Sequence, residues 1–535
     1  MSIKKVLDAV IIGAGISGMY QLHKLRDELG LSVKVFETGS GVGGTWYWNR
    51  YPGARFDSES YSYGYSFSEE LLQEWNWKEH FSPQPDNLEY LEFVADKFNL
   101  RPDIEFNTRV VSAHYDDDDN CWNVTTDGGH FVTCKFLITA VGVLSTPFVP
   151  EIPGLKNFKK DSWHTANWPK EHVSLEGKRV GVIGTGATAV QLITEIAKTV
   201  GDLTVFQRTA NFCKPLGNRL ISDEEQIEIK KNYPKIFQRC RETFGSFLAD
   251  FEKRSAFDVT AEEREARYEK LWNEPGFGFW LGTYQDILTD AKANETAAEF
   301  VRKKIRSRVT DPEVAEMLCP KGHPFGTKRV PLESGYYEAY NQANVELVDI
   351  KATPIEMVTE NGLRTTKKDF EFDILVLATG FDTVTGSLDS IDIRGVGGTS
   401  LKHKWSDGPK TYLGMGSAGF PNMFTVVGPH NGATFCNIPR CIEQNVEWVS
   451  DCIKYMNENG VSRIDPNQDA EDEWTEHVQD VVKGSLLLEA DSWFMGANIP
   501  GKKRQMYLYA GGSPLYREKC DTVAINNYEG YTLEK

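Results

Sequence analysis

Residues 6–18 read VLDAVIIGAGISG: an apolar run, Val6 to Ile12, broken only by Asp8, that enters Gly13-x-Gly15-x-x-Gly18. An amphipathic pattern from Met19 to Leu29 and a second apolar run from Ser32 to Glu37 follow. Together they predict a βαβ unit with the glycines at the strand-to-helix turn. There the first glycine permits the tight turn, the second lets a pyrophosphate approach the backbone, and the third lets helix and strand pack closely. The helix N-terminus offers free N–H groups and a positive dipole end to the phosphates.

The pattern occurs twice. Residues 178–189, KRVGVIGTGATA, form a second apolar strand entering Gly184-x-Gly186-x-x-Ala189, with a helix and a strand Leu203 to Gln207 behind it. One such motif can be an incidental turn; two in βαβ context point to two dinucleotides. The candidate contacts are Gly13, Gly15, Ser17 and Gly18 in the first unit. In the second they are Gly184, Thr185, Gly186, Ala187, Thr188 and Ala189. Glu37 stands 24 residues after Gly13, where a carboxylate can accept from a ribose hydroxyl. At the same spacing from Gly184 stands Arg208, followed by Thr209. A cation there suits a 2′-phosphate, although a solvated surface arginine is the alternative. The first unit is therefore expected to bind FAD or NAD, and the second NADPH.

The remaining composition narrows the class. The chain has 535 residues, 40% hydrophobic and 25% charged, a globular profile with room for several cores. Its 59 basic and 77 acidic residues leave a net charge of −18, which disfavours nucleic acid and anionic lipid. No apolar run is long enough to span a membrane. The N-terminal apolar run reads as a strand, not a signal peptide. Nine cysteines without C-x-x-C favour free thiols in a reducing cytoplasm, and the ten histidines show no metal-ligand spacing. Asp116 to Asp119 reads as a solvated hairpin tip.

Further buried-strand runs end in small residues at Phe136–Gly142, Ile374–Gly380 and Met423–Gly428. Between Ile221 and Cys319 the sequence turns charged and helix-periodic, opening on Ser222-Asp223-Glu224-Glu225 as N-cap and first turn. The expected fold is α/β: two Rossmann-like dinucleotide-binding domains with a helical insertion in the second. The expected divisions are 1–143 with 385–535 for FAD, 150–220 with 330–384 for NADP, and 221–329 for the insertion.

Two stretches carry a resemblance. Gly43-Gly44-Thr45-Trp46, then Tyr51-Pro52-Gly53, then Asp57, resembles a signature of type I Baeyer–Villiger monooxygenases. So does Phe158 to Pro169, FKKDSWHTANWP, which keeps Phe158, His164, Trp168 and Pro169 but has Lys160 where the family has glycine. The resemblance covers essentially the whole chain. It implies a flavoprotein that uses NADPH and O₂ to turn ketones, cyclic or aryl, into lactones or esters, with sulfoxidation as a further activity. The flavin would carry a C4a-peroxide that attacks the carbonyl. By the same resemblance, Gly44, Thr45, Trp46, Trp48, Tyr63 and Val110 contact cofactor. Arg329 stabilises the peroxyflavin and the tetrahedral adduct, Asp57 holds Arg329, and Lys328 joins Arg208 at the 2′-phosphate. A guanidinium suits Arg329's role because it stays charged and offers forked donors.

His164 is read as coupling domain movement rather than as an acid or base. Trp493 resembles a tryptophan that reaches the nicotinamide; a core aromatic is the alternative. Phe435, Ile438, Phe494 and Met495 are candidate pocket walls, and for Phe435 and Ile438 packing inside the FAD domain is equally open. A heteroatom-oxidising flavin monooxygenase and a non-catalytic NADPH sensor are the rival readings. The expected partners are a small ketone and O₂, with no nucleic acid, membrane or metal, in a monomer or weak homo-oligomer.

Overall fold

A computed structural model describes residues 6–432 and 436–535. The first sheet has eight strands around Val6–Ile12, which pairs in parallel with Val33–Phe36 on one side and Phe131–Thr139 on the other. Ile104–Glu105 closes one edge. Cys121–Thr126, Val110–Asp116 and Asp392–Arg394 extend the other, and Met423–Thr425 also pairs with Phe131–Thr139. Ala9, Val10 and Ile11 are fully buried, as expected of a central parallel strand covered on both faces.

The second sheet is parallel throughout, in the order Val345–Asp349, Asp202–Gln207, Arg179–Ile183, Ile374–Leu377, Asp161–His164. Two Rossmann-like units are thus present. Two antiparallel connectors join them: Phe148 N–H donates to Gly380 O, Asp382 N–H to Thr146 O and Val384 N–H to Val143 O.

Both glycine turns lead straight into helices, with Gly15 and Gly186 as N-caps. The first helix, Ile16–His23, begins three residues before the expected Met19, because helical geometry starts where the glycine turn ends. It continues into a π-helical turn, Lys24–Glu28. Between Ile221 and Cys319 the structure is helical: Asp223–Glu242, Ala261–Asn273, Gly278–Leu281, Ala291–Arg308 and Pro312–Leu318. Ser222 and Glu225 form a full capping box on the first of these, satisfying two N–H groups. The Asp116–Asp119 stretch lies at the turn between Val110–Asp116 and Cys121–Thr126.

The cysteines correct an expectation. Cys436 and Cys441 are joined in a disulfide, not left as free thiols. Asn437 caps the helix Ile438–Asn459, so the entry turn brings the two cysteines' Cα atoms to 6.7 Å, a distance a disulfide spans. Cys134, Cys213, Cys240, Cys319, Cys452 and Cys520 are free and buried. Among the described residues no helix is long and apolar enough to cross a membrane.

Candidate functional site

Gly13 has φ +105, and a Cβ on it would lie 2.5 Å from Ala140 O, so only glycine serves at this turn. A Cβ on Gly18 would lie 1.8 Å from Gly13 O, which is the close helix–strand contact that the third position requires. Gly15 and Gly44 face each other backbone to backbone, a Cβ on Gly44 lying 2.8 Å from Gly15 Cα. Glu37 is buried beneath the turn, with Oε2 accepting from Ala14 N–H at 2.8 Å and Oε1 from Gly39 N–H at 2.6 Å. Each oxygen keeps a lone pair for a hydroxyl.

Around this unit, Trp46 donates its indole N–H to Tyr63 Oη at 3.1 Å, and Tyr63 stacks on Phe56. Burial pushes the Tyr63 hydroxyl up to about 12. Thr45 and Trp48 are exposed, Ser17 lies in the first helical turn, and Val110 opens a strand with its side chain buried.

In the second unit, Gly184 repeats the left-handed turn at φ +115, and a Cβ on Gly186 would meet open space. The helix Ala187–Ile196 has no side-chain cap, so its first N–H groups remain available to an anion. Ala187 and Thr188 form its first turn, and Ala189 is buried where the helix meets the sheet. Thr185 Oγ1–H donates to Thr209 O at 2.9 Å, tying the glycine turn to the residue after Arg208. Arg208 is exposed, and neither it nor Lys328 forms an ion pair among the described residues. Burial and the neighbouring Arg208 hold the Lys328 ammonium below its ordinary value. Two adjacent cations without a carboxylate partner suit a doubly charged phosphate.

Between the units, Arg329 Nη2–H donates to Asp57 Oδ2 at 2.7 Å. The carboxylate is buried, while the arginine side chain is 38% exposed and so can reach both solvent and a ligand. Burial raises Asp57 above the ordinary carboxylate value, against the pull of Arg329. Arg329 Nε is buried and has no partner among the described residues. An orphaned cationic donor beside a fixed carboxylate is what an incoming oxygen acceptor would complete.

Trp493 heads a short 3₁₀ turn, Trp493–Met495, half-buried and edge-on to Phe494. Its segment is tied to a connector by Asn498 Nδ2–H donating to Phe381 O at 2.8 Å and Lys502 Nζ–H to Asp382 Oδ1 at 2.7 Å. Phe494 and Met495 are buried in the main core, and Ile438 is the first residue of its helix. Phe435 lies outside the described residues.

Comparison with known proteins bears on this geometry. The flavin-binding monooxygenase-like family model matches residues 4–216. The chain is 47% identical, over 98% of both chains, to 2-oxo-Δ³-4,5,5-trimethylcyclopentenylacetyl-CoA monooxygenase of Pseudomonas putida. It is 45% identical to cyclohexanone 1,2-monooxygenase of Acinetobacter sp, over 100% of this chain and 98% of the other. The chain belongs to the type I Baeyer–Villiger monooxygenases. A solved structure, OTEMO in complex with FAD and NADP, superposes with a TM-score of 0.96 at 47% identity, covering 99% of this chain and 100% of that one.

In this Baeyer–Villiger monooxygenase the second signature runs along the edge of the second sheet. His164 ends the strand Asp161–His164, paired with Leu377, and its Nδ1 accepts from Ala166 N–H at 3.1 Å. Burial holds the imidazole below its ordinary value, and Phe381 packs edge-on against it. Trp168 is buried against Trp163, with Pro169 after it, while Phe158 packs on the far face of the sheet. Lys160 lies outside the left-handed region, so the backbone there does not require the family's glycine. One residue after Pro169, Lys170 Nζ–H donates to Tyr47 Oη and to Ser40 Oγ, linking the second signature to the first unit.

Sequence reasoning missed Lys170 and Gln191. Gln191 is the one side-chain amide in the helix ATAVQLITEI, which is the signal that could have singled it out.

Proposed function

We propose that this Baeyer–Villiger monooxygenase converts a ketone with a largely apolar body, cyclic or aryl, to the lactone or ester, with Arg329 as the charge stabiliser. The carrying observation is the 2.7 Å contact of Arg329 with Asp57 beside the orphaned Arg329 Nε. FAD, NADPH and O₂, when bound, supply the reducing electrons and the activated oxygen. The glycine turns at Gly13–Gly18 and Gly184–Ala189 fit the two pyrophosphates, and Glu37 fits a ribose. Arg208, Thr209 and Lys328 fit the 2′-phosphate. Arg329 donates N–H groups to oxygen on which negative charge accumulates, and Asp57 holds the guanidinium in that place. His164 stays neutral and structural, at the connector between the units.

The division 1–143 with 385–535, 150–220 with 330–384, and 221–329 is the proposed domain plan. The buried free thiols of Cys134, Cys213, Cys240, Cys319, Cys452 and Cys520 fit a cytoplasmic protein, acting as a monomer or weak oligomer.

The test is purification followed by a product screen. A yellow protein that oxidises NADPH faster with cyclohexanone, and yields its lactone by gas chromatography, supports the reading. NADPH binding without turnover on linear, cyclic and aryl ketones would overturn it in favour of a sensor.

A further inference from the structure

Gln191 belongs to the helix of the second unit, but its side chain reaches into the first. Tyr51 Oη–H donates to Gln191 Oε1 at 2.8 Å, and Arg55 N–H approaches the same oxygen at 3.4 Å. On the other side, Gln191 Nε2–H donates to Arg55 O at 2.9 Å and lies 3.5 Å from Asp57 Oδ1. The backbones meet as well: a Cβ on Gly53 would lie 2.6 Å from Gln191 O. The glycine of Tyr51-Pro52-Gly53 thus allows the second unit's helix to press directly on the first signature.

We propose that Gln191 is a positioning residue for the oxygenation: its amide orients the Tyr51–Asp57 segment, and through Asp57 it sets where Arg329 points. The inference rests on the reading of Arg329 as the charge stabiliser. A carboxylate held at one oxygen still turns about its Cβ–Cγ bond. With Oδ2 on Arg329 and Oδ1 facing an amide donor, the carboxylate plane is set at both ends. Because Gln191 rides on the helix that the NADPH unit's glycine turn opens, the placement of Arg329 depends on how the two units meet.

Gln191→Glu tests this with almost no change of shape. The carboxylate still accepts from Tyr51, but when ionised it offers no donor to Arg55 O and faces Asp57 Oδ1 with like charge. The charged and titratable groups around Asp57 and Gln191 are Arg329, Arg55, Tyr51, Cys213 and, one turn along the helix against Gly53, Glu195; all are present in the wild type, so the new acid is the only added titration. With cyclohexanone and NADPH at pH 8, lactone formation should fall about tenfold or more, on the scale of misplacing a catalytic group. The KM for NADPH should stay within about twofold, since the 2′-phosphate and pyrophosphate contacts are untouched. NADPH and O₂ would instead end as NADP⁺ and hydrogen peroxide in greater proportion. The defect should shrink as the pH is lowered to 6, because the like charge of Asp57 and the partial burial of this contact raise the introduced carboxylate so that it regains a proton to donate. A crystal structure of the Q191E protein should show the guanidinium displaced from Asp57.

Tyr51→Phe, which removes one hydroxyl bonded to Gln191, should give the same uncoupling at smaller size. Wild-type coupling in Q191E at every pH overturns the proposal. So does a Q191E loss that is flat with pH, with a lower Tm in both variants, which is the mark of packing alone. Arg329→Ala run in parallel separates the two readings. Near-normal lactone formation there removes the Arg329 reading, whereas a collapse there beside a silent Q191E removes only the role of Gln191.

Discussion

Asp57 Oδ2 lies 2.7 Å from Arg329 Nη2, although 272 residues of chain separate them. Burial raises the carboxylate above its ordinary value, and the arginine pulls against that rise. The arginine, in turn, has a buried Nε with no partner among the described residues. Each group is incomplete alone, and the pair holds a cation whose side chain is 38% exposed. Such preorganised charge acts without reorganisation when an oxygen acquires negative charge.

Arg329→Ala should therefore spare FAD binding and lower ester formation by about a hundredfold or more, on the scale of a lost oxyanion donor. Flavin reduction by NADPH, followed by stopped-flow absorbance, should persist. Asp57→Ala should give a milder loss mixed with slower reduction, because it acts through placement. Product yields near those of the wild type in R329A would remove the arginine from the chemistry.

Arg208 lies close enough to help hold the Lys328 ammonium below its ordinary value, and no carboxylate bonds to either among the described residues. Only the 2′-phosphate distinguishes NADPH from NADH. Arg208→Ala should raise the KM for NADPH with little effect on NADH, and Lys328→Ala should do the same. Steady-state kinetics with both nucleotides decide it. Equal losses for the two would place these side chains on the shared part of the ligand or in the fold.

What could be read from the chain followed the range of the interactions. Each nucleotide unit is local, with strand, glycine turn and helix within about thirty residues, so its pattern was readable. Glu37 and Arg208 followed by counting along the same unit. The Asp57–Arg329 contact carries no spacing signal, since an insertion of five helices intervenes, and only the resemblance joined the two residues. Gln191 was hidden for a related reason: its partners stand 134 to 140 residues back in the chain, on the other unit. The Cys436–Cys441 pair depends on the backbone course into a helix, which composition does not reveal.

The two glycine motifs should respond differently to the same substitution. A Cβ on Gly18 would lie 1.8 Å from Gly13 O, so Gly18→Ala must push the first helix off its strand. A lower Tm and a weakened hold on FAD are the expected outcomes, read by melting and by flavin retention on gel filtration. A Cβ on Gly186 meets nothing within 4 Å, so Gly186→Ala should fold normally. Its methyl enters the space proposed for the pyrophosphate, and the KM should rise for NADPH and NADH alike. An unchanged KM for both would argue that no ligand passes there.

Acid should weaken the protein through two buried histidines. His430 is fully buried with Nδ1 3.3 Å from Thr411 Oγ1, and His323 is 8% exposed with neither ring nitrogen partnered among the described residues. Burial holds both imidazoles down to about 3, with Lys328 and Lys351 adding to the effect at His323. A histidine depressed in the folded state contributes stability that is present above the unfolded value of about 6.5 and is lost as pH falls toward the folded one. Between those limits the unfolded chain binds the proton and the folded chain does not. By pH 5 each should have cost about 2 kcal/mol relative to pH 7. Urea unfolding of the holoenzyme at pH 7, 6 and 5 measures the slope. His430→Asn keeps a side chain that tolerates φ +63 and removes the titration, so its stability should depend on pH by about one proton less. His323→Gln should do likewise. A wild-type urea midpoint that stays level from pH 7 to pH 5, or variants with the wild-type slope, would show that these rings are not the groups that take up acid.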